Sequence, residues 1–226
     1  MASLAQLLAT HGSVLVLDAV SLQVQIGLFR TGHASCGEQS GDEAGRGLFR
    51  ATKTILEKTG LQLADIGAMA YCEGPGSMLG TRTVAMALRT WLTLNPKPVF
   101  RYQSLALAGL AEWHRSPRIF HVIADARRDS WHVQPVAADG ALGKLRRQPT
   151  AELPSEELLT PTGFRAWSQA PDRVATCPYD LVAMLTTTAE AEIMSPVVSP
   201  DVLQHDAPDY KKWSAQPHSA ESVARS

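Results

Sequence analysis

The chain is poor in the features that usually announce a function. Its 226 residues include only three cysteines, Cys36, Cys72 and Cys177, far apart and at no metal-ligand spacing. An odd, scattered set suits a reducing compartment better than a disulfide framework. Charge is nearly balanced, with 21 Lys and Arg against 22 Asp and Glu. That balance gives no support for nucleic-acid binding over a broad basic surface. The basic clusters are short, Arg127–Arg128 and Lys144-Leu-Arg-Arg147, and read as solvated edges. No stretch is long enough to span a membrane, and the N-terminus has no signal-peptide pattern, so the expected location is the cytoplasm.

Catalytic groups are equally scarce. Histidines stand at His11, His33, His114, His121, His132, His205 and His218, with no pair at helical ligand spacing. His121 and His132 fall on adjacent expected strands, without an acid or cysteine to complete a metal site. Ser77 sits in a sharp turn, but Gly-Pro-Gly-Ser is not a nucleophile elbow. Glu156 and Glu157 lie in a loop with nothing nearby to shift their pKa values.

What is present is an α/β pattern. Composition is ordinary for a globular chain, 45% hydrophobic and 19% charged. Residues 14–29 read as a hairpin, with Asp18 at the end of its first strand, and 33–37 as a third strand. A helix is expected over 42–58, then a strand at 66–72, a helix over 80–94 and a strand at 99–102. Ser104 is placed to cap a further helix reaching about His114. Strands follow at 119–125, 130–136, 142–148 and 173–177, with a turn at Asp139–Gly140, loop over 152–172 and a helix over 181–192. Residues 1–103 form one expected subdomain and 104–213 a second, leaving 214–226 as a disordered tail. Two such halves would make an actin-like, ribonuclease-H-like architecture; periodicity supports α/β without choosing that fold.

The most informative block runs from Tyr71 to Trp91. A short apolar strand enters Gly74-Pro-Gly-Ser-Met-Leu-Gly-Thr-Arg82, and a helix leaves it. Gly74 and Gly76 allow φ values closed to other residues, Ser77 is placed as a cap, and Gly80 permits a close approach. Such a loop either holds an anion on free N–H groups or is a tight, capped connection. The candidate anion-binding set is Gly74, Gly76, Ser77, Gly80 and Arg82. In an actin-like architecture Asp18, Asp125 and Arg127 would be the candidate residual nucleotide site; otherwise Asp18 is a plain strand-end acid, and Val20 stands where a tight phosphate approach would prefer glycine. Helices 42–58 and 80–94 are more apolar than self-packing requires. Such helices are either buried on two faces or joined to another chain; on the second reading Leu48, Ala51, Ile55, Val84, Ala85, Leu88 and Trp91 are the candidate partner interface.

These residues carry a resemblance. The Gly74–Arg82 loop is similar to the Gly-Pro-Gly-Ser-Phe-Thr-Gly-x-Arg loop of the TsaB (YeaZ) family. Leu15–Ser21, Gln103-Ser104-Leu105 and Asp125-Ala126-Arg127-Arg128 resemble its other blocks in the same order. Pro208-Asp-Tyr-Lys-Lys212 is a weaker echo of its C-terminal motif. The resemblance implies an actin-like fold, degenerate in catalysis, with no cofactor in this subunit. It implies pairing with a TsaD-like catalytic subunit and a TsaE-like ATPase, which would hold the metal and ATP. The assembly moves a threonylcarbamoyl group onto the adenosine beside the anticodon of tRNA, which this subunit would meet indirectly. The chain departs from the family at Ala19–Val20, Met78–Leu79 and Asp129–His132. An active actin-like kinase or glycoprotease-type peptidase, and a homodimeric regulator, remain as other readings.

Overall fold

The computed structural model describes residues 1–203. The Pro208–Lys212 echo and the expected tail lie outside the described residues. Residues before Ser13, assigned to no element above, form α1 (Leu4–His11). Its signal is a capping box: the Ser3 hydroxyl accepts from Gln6 N–H at 3.1 Å, and Gln6 Oε1 accepts from Ser3 N–H at 2.9 Å.

The first sheet is built on the hairpin of β1 (Ser13–Asp18) and β2 (Val24–Arg30), whose register sets Asp18 opposite Gln25. Every β1 residue is buried, because the apolar run is covered on both faces. Val14 and Val16 enter one core, Leu15 and Leu17 the other. β3 (Cys36–Ser40) pairs with β2 a few residues later than expected, after a turn in which Gly32 takes a left-handed φ of 73°. β4 (Ala68–Gly74) lies parallel to β1, and β5 (Val99–Gln103) parallel to β4.

The second sheet centres on the antiparallel pair β6 (Phe120–Asp125) and β7 (Ser130–Val136). β8 (Arg146–Pro149) edges β7, while β9 (Leu158–Pro161) and β10 (Val174–Cys177) run parallel on the far side of β6. β9 falls in the stretch expected to be loop; four residues, three of them buried, carry too little pattern to stand out. Finally β11 (Ser195–Val197) returns to the first sheet against β5. The first sheet therefore takes its last strand from beyond residue 104.

Two helix layers follow from these faces. α2 (Ala44–Thr59) and α3 (Met78–Leu94) cover one face of the first sheet. The main core lies on the other face, where α1, α4 (Ser104–Arg115) and α5 (Leu181–Thr187) pack between the two sheets. α5 stops at Thr187, one turn short of the expected extent. Ser104 does not cap α4: it is the helix's first residue, and its hydroxyl donates to Pro75 O at 2.6 Å.

The loop glycines are set by packing. A Cβ on Gly80 would stand 1.8 Å from Ala19 O, and one on Gly76 would stand 2.6 Å from Val20 O. On Gly45, in the first turn of α2, it would meet nothing within 4 Å. Gly80→Ala should therefore cost at least about 3 kcal/mol or prevent folding. Gly45→Ala should be neutral or stabilise by up to about 1 kcal/mol. Urea unfolding of the two variants checks the contrast.

Candidate functional site

In an actin-like arrangement the space between the first hairpin turn and the Gly-rich loop is where a phosphate would sit. Here each wall is already engaged. Asp18 is fully buried, and its carboxylate accepts three hydrogen bonds. Val20 N–H donates to Oδ1 at 3.1 Å, and the hydroxyls of Tyr102 and Tyr179 donate to Oδ2 at 2.8 and 2.7 Å. Tyr102 comes from β5 and Tyr179 from just beyond β10, so the acid is clasped from both sheets. Burial raises its pKa, against hydrogen bonding to Val20 N–H, Tyr179, Tyr102 and Cys72 that lowers it. The same burial, with Asp18 beside them, pushes both phenols well above their usual pKa and keeps them as donors.

The Gly loop closes onto the same turn. Ser77 N–H donates to Val20 O at 2.7 Å, and the Ser77 hydroxyl accepts from Gly80 N–H at 3.2 Å. Amides expected to face an anion are thus partly spent on the chain's own oxygens. Arg82 is exposed on the first turns of α3.

Asp125 closes the opposite side. It is 8% exposed, and its Oδ1 accepts from Arg127 N–H at 2.5 Å. Its Oδ2 accepts from Trp167 N–H at 2.7 Å and Ser168 N–H at 2.5 Å. Burial would raise its pKa, but these backbone bonds outweigh it and hold the carboxyl below its ordinary value. Between Gly76–Ser77 and Asp125 only about 10 Å³ remains, bordered also by Phe164, Arg165 and Trp167. That is close to the volume one water centre needs. A phosphate is larger than this gap, so on its Asp125 side the loop faces the chain's own groups.

Two further openings flank the loop. One of about 260 Å³ lies between Gly74–Met78 and the second sheet, edged by Val202 and Leu203. A wider cleft of about 600 Å³ opens beyond Glu73, whose carboxylate is paired with Arg101 at 2.9 Å. His121 and His132 do not meet: β6–β7 register places His121 opposite Pro135, and His132 opposite Ala124. Among the described residues no three His, Cys, Asp or Glu side chains cluster as a metal site, and no helix is long and apolar enough to cross a membrane.

No family model matches the chain, and no curated protein matches its sequence. Among solved structures it is similar to YeaZ from Pseudomonas aeruginosa, with a TM-score of 0.63 at 19% identity, over 79% of this chain and 90% of that one. The fold is that of YeaZ. A second structure, of an uncharacterized protein with similarity to peptidase YEAZ from Pseudomonas aeruginosa, gives a TM-score of 0.60 at 16% identity. It covers 78% of this chain and 89% of its own. What these comparisons show is the fold, two mixed sheets flanked by helices.

On this YeaZ-like backbone the candidate interface needs correcting. Leu48, Ala51, Ile55, Val84, Ala85 and Leu88 are at most 4% exposed. All but Ala85 belong to the core between α2, α3 and the first sheet. Trp91 is half-buried and meets Phe49 edge-on, ring centroids 5.9 Å apart. The large apolar residues left outside are Phe49 on α2 and Met78, Leu79, Met86 and Leu94 on α3, each at least 47% exposed. Both helices are apolar on more than one side, so periodicity located the stripe without saying which edge met the sheet.

Because Asp18 is a structural clasp, Asp18→Asn should fold but cost about 1–2 kcal/mol: with the amide oxygen toward the tyrosine hydroxyls its nitrogen faces Val20 N–H, a donor against a donor. Asp18→Ala strands two buried hydroxyls and should cost about 2–4 kcal/mol. Chemical denaturation distinguishes them. Asp125 has a depressed folded pKa, so its contribution is present above the unfolded carboxylate pKa and is lost as pH falls through the folded value. The acid limb of the stability curve should therefore flatten in Asp125→Asn.

Proposed function

We propose that the chain is a non-catalytic, TsaB-like subunit that pairs with a TsaD-like catalytic protein and works with a TsaE-like ATPase. Its part is to assemble the machinery that moves a threonylcarbamoyl group onto the adenosine beside the tRNA anticodon. The Gly74–Arg82 loop and the three motif blocks that share its order support this reading, as does a fold shared with YeaZ over nearly all of that chain. The observation that carries it is the pairing of a cleft filled by the chain's own groups with an exposed apolar helix face. Asp18 is committed to two tyrosines, while Phe49, Leu79 and Met86 stand in solvent on α2 and α3. A face of that kind is what a helix-to-helix partner contact buries. The rival active enzyme requires Asp18 and the loop to hold a nucleotide, which their hydrogen bonding and spacing oppose.

The test is light scattering after size exclusion of this chain mixed with the TsaD-like protein of its own organism. A stable heterodimer is expected; persistence of the two separate species would overturn the proposal. Met86→Asp and Phe49→Asp should abolish the complex without moving the thermal midpoint. Leu88→Asp buries an unpaired charge and should cost more than about 4 kcal/mol, so it fails to fold. ATP titrated into the isolated chain by calorimetry should give no saturable heat; micromolar binding would favour the enzyme reading.

A further inference from the structure

Asp125 joins two loops, and the joint gathers arginines that the sequence leaves scattered. Arg127, Arg128 and Asp129 follow one another with left-handed φ values of 63°, 53° and 52°. L residues rarely adopt this backbone, and consecutive cases need outside support. Support comes from Arg127 N–H on Asp125, Ser130 N–H and hydroxyl on Arg127 O at 3.2 and 2.6 Å, and Thr150 N–H on Asp129 O at 3.0 Å. Both arginines are left exposed.

From the other loop Trp167, 53% exposed, places its ring centroid 4.4 Å from the Arg127 guanidinium carbon. Arg165 borders the same small gap as Trp167 and is also exposed. Arg147 reaches across from β8 to Ala126 O at 3.2 Å and Ser130 Oγ at 3.0 Å. Two acids lie nearby and keep their charge, but neither is paired with these arginines: Asp125 is buried under backbone N–H donors, and Asp129 accepts from the Thr150 hydroxyl at 2.5 Å. Among the described residues Arg127, Arg128 and Arg165 make no ion pair, whereas Arg50, Arg89, Arg101, Arg115 and Arg118 each do.

We infer that Arg127, Arg128, Arg165 and Trp167 form a contact site for single-stranded RNA. The guanidinium groups meet phosphates, and the exposed face of Trp167 takes an unpaired base. Arginine beside an open indole is suited to that ligand, because loop nucleotides offer phosphate and a free π-face together. Duplex RNA keeps its bases stacked, and an acidic peptide would leave the indole without a role. A net charge of −1 opposes only a broad basic surface; this one is compact. The inference goes beyond assembly, since it puts the subunit in direct contact with RNA. It is measured on the chain alone, so loss of partner pairing and loss of RNA binding are read separately.

The experiment is fluorescence anisotropy of a fluorescein-labelled RNA hairpin with an unpaired loop, titrated with the full-length chain. Saturable binding is expected, weaker for a blunt duplex of equal length. Log affinity should fall with log salt at about 0.7 per phosphate contacted. Trp167→Ala should weaken binding about tenfold, and Trp167→Phe should restore most of it. Arg165→Glu and the Arg127→Glu/Arg128→Glu double variant should weaken it further; Arg165→Glu disturbs neither the left-handed turn nor the indole. No binding at low salt would overturn the inference. So would wild-type affinity in the variants, or equal affinity for the duplex. Displacement by polyglutamate as effective as by unlabelled hairpin would overturn it in favour of an acidic protein surface.

Discussion

Asp18 holds the two sheets together through a carboxylate with no water to fall back on. Tyr102 reaches it from the first sheet and Tyr179 from the second, both through hydroxyls kept protonated by burial. Gln25, opposite Asp18 in the hairpin, completes the joint: its amide donates to Tyr179 O at 3.1 Å, and its oxygen accepts from Leu181 N–H at 2.9 Å. Buried polar groups of this kind stabilise only while every partner is present. The position of α5, the path of residues 177–181 and the closure of the cleft all depend on that condition.

Closure of the cleft changes what the Gly-rich loop is for. In a phosphate site its glycines would make room for a ligand; here they make room for the carbonyls of Ala19 and Val20. Val20, which stands where a phosphate approach would prefer glycine, supplies the oxygen that Ser77 N–H bonds. What remains for a partner is surface: an apolar strip along α2 and α3, and an arginine-rich corner on the second sheet.

Much of the fold was legible from residues 13 to 136, where apolar runs are long and turn residues mark their ends. β1, β4, α3 and β7 fall within two or three residues of their expected limits. The two missed strands share a cause. β9 and β11 are three or four residues long and exist because a neighbouring strand offers a free edge. α1 was written in its Ser3–Gln6 capping box, a signal available in the sequence but not used. Ser104 carries the expected residue type in a different role, because only the folded chain brings Pro75 O within its reach.

By itself the sequence determined the α/β alternation, the strand–loop–helix unit around Gly74–Gly80 and the Ser77 cap, all of which depend on neighbours within a few positions. The tertiary structure alone decided which edge of α2 and α3 faces outward, that Asp18 is sealed by tyrosines 84 and 161 residues away, and that Asp125 draws Arg127 and Trp167 together. The reason is physical. Periodicity records that a side chain is apolar or a backbone bends, but a buried carboxylate takes its role from the donors folding brings to it.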